Sequence, residues 1–286
     1  MKWKGRAGSR NVEDRRGSGG FGMGGKGILG GGLGIVFIIV FMLLGGDPGQ
    51  ILSQSQIINQ GGDTSYEQTA EEEELAEFAS VVLADTEAVW QDIFYEYGEV
   101  YQEPILVLYS GYVQSACGTA GSSTGPFYCP GDNKVYIDLS FFQEMETRFD
   151  APGDFAMAYV IAHEVGHHVQ NQLGIMDEYQ RLRSQMSQTE FNKLTVRLEL
   201  QADYLAGVWA HYVDDMNYME DGDIQEAMNA ASAVGDDRIQ KQTQGYVVPD
   251  SFTHGTSEQR MRWFMKGYNE GDLDQWDTFS LQESEL

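Results

Sequence analysis

Cysteine is nearly absent from this sequence, with two in 286 residues. The pair, Cys117 and Cys129, sits outside any C-x-x-C spacing and away from every histidine, which argues against a zinc site built on thiolates. Basic side chains are also scarce: 18 Lys and Arg stand against 44 Asp and Glu. Seven of the basic residues (Lys2, Lys4, Arg6, Arg10, Arg15, Arg16, Lys26) fall in residues 1–26, so the remaining 260 residues carry 11 basic and 42 acidic side chains. Such a body repels nucleic acid and anionic membrane surfaces, and no nucleic-acid partner is expected. The acids are scattered rather than clustered, which fits solubility more simply than a site for cationic partners. The Gly-rich stretches within 17–34 lack the G-K-[ST] ending and the preceding strand of a phosphate loop, so nucleotide binding is not supported. There are no internal repeats.

What is present begins with an uncharged run. Residues 27–46 hold no charge and include Ile35 to Leu44 as a continuous apolar stretch. Twenty residues at about 1.5 Å each cover the roughly 30 Å of a bilayer core, so a single transmembrane helix is expected there. A cleaved signal peptide fits less well, because no small-residue cleavage site follows. The basic start places residues 1–26 in the cytoplasm as a disordered segment and the rest of the chain outside it, at the cell membrane. On that side a disulfide between Cys117 and Cys129 is plausible.

A polar linker at 47–70 precedes a folded domain at 71–272 and a loose acidic tail at 273–286. Leu75, Phe78, Val82, Val89 and Ile93 form a helical stripe over about 70–97, with Thr86 as its weak position. Ile105–Tyr109 and Lys134–Leu139 read as strands; the latter can serve as the edge on which an extended peptide lies. Helices follow over about 155–173 with Asp154 as cap, then 190–213, 223–241 and 256–268. The fold class is α+β, mainly helical, with a small β-sheet and one transmembrane helix in front.

Residues 163–167 read His-Glu-Val-Gly-His. Four apart on a helix, His163 and His167 share a face and can converge on one Zn²⁺. Glu164 stands beside the metal, where a general base must stand. Unpaired polar groups in so apolar a helix are costly, and metal binding supplies the reason for them. A catalytic zinc wants a third protein ligand, and Glu199 offers it. Asp203 lies four residues on along the same face and can accept the N–H of a ligating His. His168 and His211 read as structural. His254, on a loop before a helix, can donate to an oxyanion or can merely pack and cap; sequence leaves both open.

These residues resemble a known family. Trp3-Lys4-Gly5-Arg6, Asn11 to Gly17, Cys117-Gly118, Gly125 to Pro130, Val135 to Leu139, His163 to Gln170, Glu199 to Asp203 with Ala206 to Ala210, and His254-Gly255 with Ser257 to Arg260 are similar to the bacterial neutral zinc metallopeptidases of the YpfJ type. The resemblance covers nearly everything except the linker and the last dozen or so residues. It implies a zincin core with a Glu as third ligand, as in gluzincins, and hence hydrolysis of a peptide or protein substrate with Zn²⁺ as cofactor. The competing expectation is a non-catalytic, zinc-stabilised envelope binding or regulatory protein. Neither substrate nor oligomeric state is legible.

Overall fold

The run of acids Glu71–Glu74 opens a long helix, α1 (Ala70–Glu96), whose start is closed by a reciprocal cap between Thr69 and Glu72. Negative side chains there complement the partial positive charge of the helix start. Phe78, Val82, Val89 and Ile93 are buried on one stripe, as expected, and Thr86 completes it because its hydroxyl donates to the Leu83 carbonyl at 2.7 Å. This computed structural model describes residues 1–17 and 68–286. The expected span at 27–46 and residues 47–67 of the expected linker lie outside the described residues. Among the described residues no helix is long and apolar enough to cross a membrane.

A mixed sheet comes next. It contains β1 (Val12–Asp14), β2 (Ile105–Tyr109), β5 (Phe127–Cys129) and β6 (Lys134–Asp138), in the order β1-β2-β6-β5. The pairs β1–β2 and β2–β6 are parallel and β5–β6 is antiparallel. A separate hairpin joins β3 (Tyr112–Ser115) to β4 (Gly118–Gly121). Leu106, Val107, Leu108, Val135, Tyr136 and Ile137 are all buried, as a strand covered on both faces requires. The expectation that 134–139 forms the substrate edge is corrected here. β6 is an interior strand, because the short β5 pairs with its outer side through Phe127↔Tyr136 and Cys129↔Lys134. A disulfide joins Cys117, at the β3–β4 turn, to Cys129 at the end of β5.

The N-terminal residues depart most from expectation. Residues 1–17 are not a disordered segment standing apart. Trp3 is buried against Phe78 of α1, and β1 extends the sheet. The acidic end is likewise not loose: Thr278 is fully buried, and its carbonyl and hydroxyl bond to Arg197.

The rest is helical: α2 (Ser140–Thr147), α3 (Asp154–Gln172), α4 (Ile175–Arg183), α5 (Gln188–Asp215), α6 (Asp223–Ala233), α7 (Asp236–Gln244) and α8 (Ser257–Glu270). Asp154 is the first residue of α3 rather than its cap, and its carboxylate meets the α-ammonium group of Met1 at 2.6 Å. The helix expected over 223–241 breaks at Val234-Gly235. A Cβ on Gly235 would lie 2.4 Å from the Ser257 amide nitrogen, so the chain turns where α8 begins.

Helix α5 packs against α3 on one side and α8 on the other, and glycine sets the closest approaches. A Cβ on Gly166 of α3 would lie 3.1 Å from the Ala202 carbonyl oxygen of α5. At the other contact the room is smaller still: Cβ atoms on Gly207 or Gly267 would fall 2.0 Å from the carbonyl oxygens of Phe264 and Tyr204. Backbone cannot yield as a side-chain tip can. Gly207→Ala is therefore expected to destabilise the fold by about 3 kcal/mol or more, as overpacking against backbone does, measured by urea denaturation. Breaking the Cys117–Cys129 bridge with Cys117→Ser is expected to cost roughly 2–3 kcal/mol for so short a loop, read in the same assay.

Candidate active site

α3 and α5 carry the chemistry, and the glycine contact at Gly166 brings them close. His163 Nε2 lies 3.2 Å from one carboxylate oxygen of Glu199, and His167 Nε2 lies 3.5 Å from the other. Ligands on a tetrahedral zinc with bonds of about 2.0–2.1 Å stand roughly 3.3–3.4 Å apart. The three side chains are buried and offer ligand atoms within 4.8 Å of one another, so they could hold a metal ion. The donor set, two imidazoles and one carboxylate, also fits a catalytic zinc rather than a closed structural one.

Each imidazole is fixed from behind. His163 Nδ1 faces Asp203 Oδ1 at 2.9 Å, and His167 Nδ1 faces Gln170 Oε1 at 2.8 Å. Both rings thus turn Nε2 toward the shared point, and an acceptor behind each favours the Nδ1–H tautomer. Gln170 is itself held, donating to the Leu198 carbonyl at 2.8 Å and to Gln201 at 3.0 Å. Its role went unread in the sequence, although its place three residues after His167 put it on the same turn.

Asp203 is wholly buried and would be costly as a bare charge. It is matched on three sides. Arg260 forms a two-pronged contact at 2.8 and 2.9 Å, the Tyr159 hydroxyl donates at 2.5 Å, and His163 closes the set. Burial works against the ionised form, but the Arg260 guanidinium and His163 outweigh it and hold the carboxyl at about 2. Burial likewise opposes His163 protonation, yet Asp203 and Glu199 lift its pKa to about 9 in the metal-free protein. Arg260 lies one turn into α8, aimed at α5.

Glu164 is buried and lines the same cleft, a cavity of about 240 Å³ whose walls include Phe127, Tyr128, Val160, Leu198 and Ile239. His254 lines it too. Its loop is pinned by Asp236, one oxygen of which accepts the amides of Thr253, His254 and Gly255 at 2.7, 2.6 and 3.0 Å. The other oxygen lies 3.5 Å from His254 Nδ1. Burial disfavours the imidazolium, but Glu199 and Asp236 raise the His254 pKa above its ordinary value. His168, by contrast, does not line the cleft: its ring meets the Tyr128 hydroxyl and the Gln102 carbonyl, and His211 bonds the Tyr268 carbonyl.

The model of a family described as putative neutral zinc metallopeptidase matches residues 1–279. The chain belongs to this family. It is 49% identical to the uncharacterized protein YpfJ of Escherichia coli (strain K12), over 98% of this chain and 99% of that protein. It is 43% identical to the uncharacterized protein Rv2575 of Mycobacterium tuberculosis (strain ATCC 25618 / H37Rv), over 85% and 86% of the two chains. No solved structure matches. The matched span includes residues 1–17, so the family's own extent takes in the strand β1 as well as helices α3 and α5.

Two outcomes are expected at Asp203. Asp203→Asn should weaken Zn²⁺ binding about 10- to 100-fold, measured by competition with a chelator. Its carboxylate pKa is lowered by folding, so its stabilisation is present above the usual range near pH 4 and is lost as pH falls through about 2. Acid unfolding of the variant should therefore show a shallower limb in that window.

Proposed function

We propose that this chain hydrolyses peptide bonds, with Zn²⁺ held by His163, His167 and Glu199. The observation that carries this is the meeting of two imidazole Nε2 atoms and one carboxylate at 3.2 and 3.5 Å, beside Glu164 in an apolar cleft. When bound, Zn²⁺ polarises the substrate carbonyl and acidifies the attacking water.

The chain's own groups supply the rest. Glu164, one residue along α3 from His163, takes the proton of the attacking water and delivers it to the leaving amine. His254, whose protonated form Glu199 and Asp236 favour, donates to the oxygen that gains negative charge as the carbonyl becomes tetrahedral. Asp203 and Gln170 hold the imidazoles in register. β5, not β6, is the outer strand on the cleft side of the sheet, and Phe127 and Tyr128 line the cleft, so an extended substrate would lie along 125–128 rather than along β6. Apolar walls exclude water and strengthen each of these polar interactions.

The test uses the full chain in detergent against a diverse peptide mixture, with products identified by mass spectrometry. Chelation should abolish cleavage and Zn²⁺ should restore it. Glu164→Gln should retain one Zn²⁺ per chain and lose about 100-fold or more in rate. His254→Ala should lower kcat by about 100-fold with KM little changed. A Glu164→Gln chain that keeps its zinc and full activity would end this proposal.

A further inference from the structure

The apolar stretch at 27–46 is the proposed membrane attachment, and the simplest topology drawn from sequence has it separating residues 1–26 from the folded domain. The fold speaks against that separation. Strand β1 is hydrogen-bonded into the domain's sheet: the Leu106 amide donates to the Asn11 carbonyl and the Arg15 amide to the Leu108 carbonyl, both at 2.8 Å. Met1 and Trp3 lie in the main apolar core. Ser9 and Ser80 exchange two hydrogen bonds, at 3.0 and 3.1 Å.

Three of the basic residues of the start, read in the sequence as a signal for the cytoplasmic side, have acidic partners on this domain. Lys4 pairs with Glu74, Arg6 with Asp85, and Arg16 with Asp14 and Glu73. Their charges are matched where they stand, and the Lys/Arg excess is an attribute of the folded surface as much as of a topology signal.

The chain also leaves and re-enters the domain at one place. Arg16 donates to the Glu72 carbonyl at 2.8 Å, and Gln68 donates to Asp14 at 3.2 Å. A single crossing sets its two ends about 30 Å apart on opposite faces of the bilayer. Docked residues 1–17 and 68–286 cannot satisfy that. Nor do residues 47–67 offer a return crossing, since they carry Asp47, Asp63 and Glu67 among polar side chains.

We infer that residues 1–17 lie on the same side of the membrane as the peptidase cleft, as an integral strand of that domain.

Single Lys4→Cys and Glu178→Cys variants of the full chain test this in intact cells, with a membrane-impermeant maleimide applied before and after permeabilisation. Both side chains are exposed, at 74% and 52%, and the bridged native cysteines leave the parent chain as background. The two positions should be labelled together or protected together. Labelling of one with protection of the other in intact cells would overturn the inference. A Ser9→Cys, Ser80→Cys double variant gives a second reading: a short bismaleimide should join the two in the membrane-bound chain, and failure to join them while each is labelled singly would count equally against it.

Discussion

One buried charge organises this protein. Asp203 is wholly enclosed between α3, α5 and α8, and an isolated carboxylate there would be too costly to keep ionised. Arg260 from α8, Tyr159 and His163 from α3 compensate it at 2.5 to 2.9 Å. Each partner comes from a different turn or a different helix, so the charge is satisfied only when all three helices are in place. The glycines at 166, 207 and 267 follow from this: the helices must approach closely enough for short polar side chains to meet, and a Cβ at these points would push backbone against backbone. A fixed His163 is the product of that packing, and a fixed His163 aims one nitrogen at the point where Glu199 and His167 also arrive.

The same compensation explains why much of the site was legible and part was not. His163, Glu164 and His167 announce themselves because four residues make one helical turn, and Glu199 and Asp203 because acids on an otherwise apolar helix need a reason. These are local patterns of period 3.6. Arg260 and Asp236 obey no such local rule. Arg260 is 57 residues from Asp203, and an arginine at the start of a helix has an innocent explanation as cap chemistry. Asp236 opens α7 and looks like a helix-start acid, yet its carboxylate gathers three amides of the loop that carries His254. Their work is visible only once distant elements are brought together.

The fold follows the same division. Long periodic elements, α1, α3 and α5, lie within about two residues of where the apolar stripe puts them. The short strands β1 and β5 escaped, because three residues carry too little alternation to be read. Missing β5 made β6 look like an edge. Missing β1 made residues 1–17 look like a charged, disordered start, when their basic side chains are partners for an acidic surface. Gly-rich composition and positive charge describe a tail equally well until the acids opposite them are seen.

The two edges of the sheet therefore have different uses. β1 covers β2 with residues 12–14, satisfying β2 backbone groups that would otherwise invite another strand. β5 leaves the other edge short, and the Cys117–Cys129 bridge fastens its end to the β3–β4 hairpin. An open edge must be stiff to bind an extended peptide well, since any ordering cost is subtracted from affinity. Covalent fastening supplies that stiffness outside α3 and α5, the helices that carry His163, His167 and Glu199. A chain with two cysteines places the bridge between them at the end of the outer strand β5.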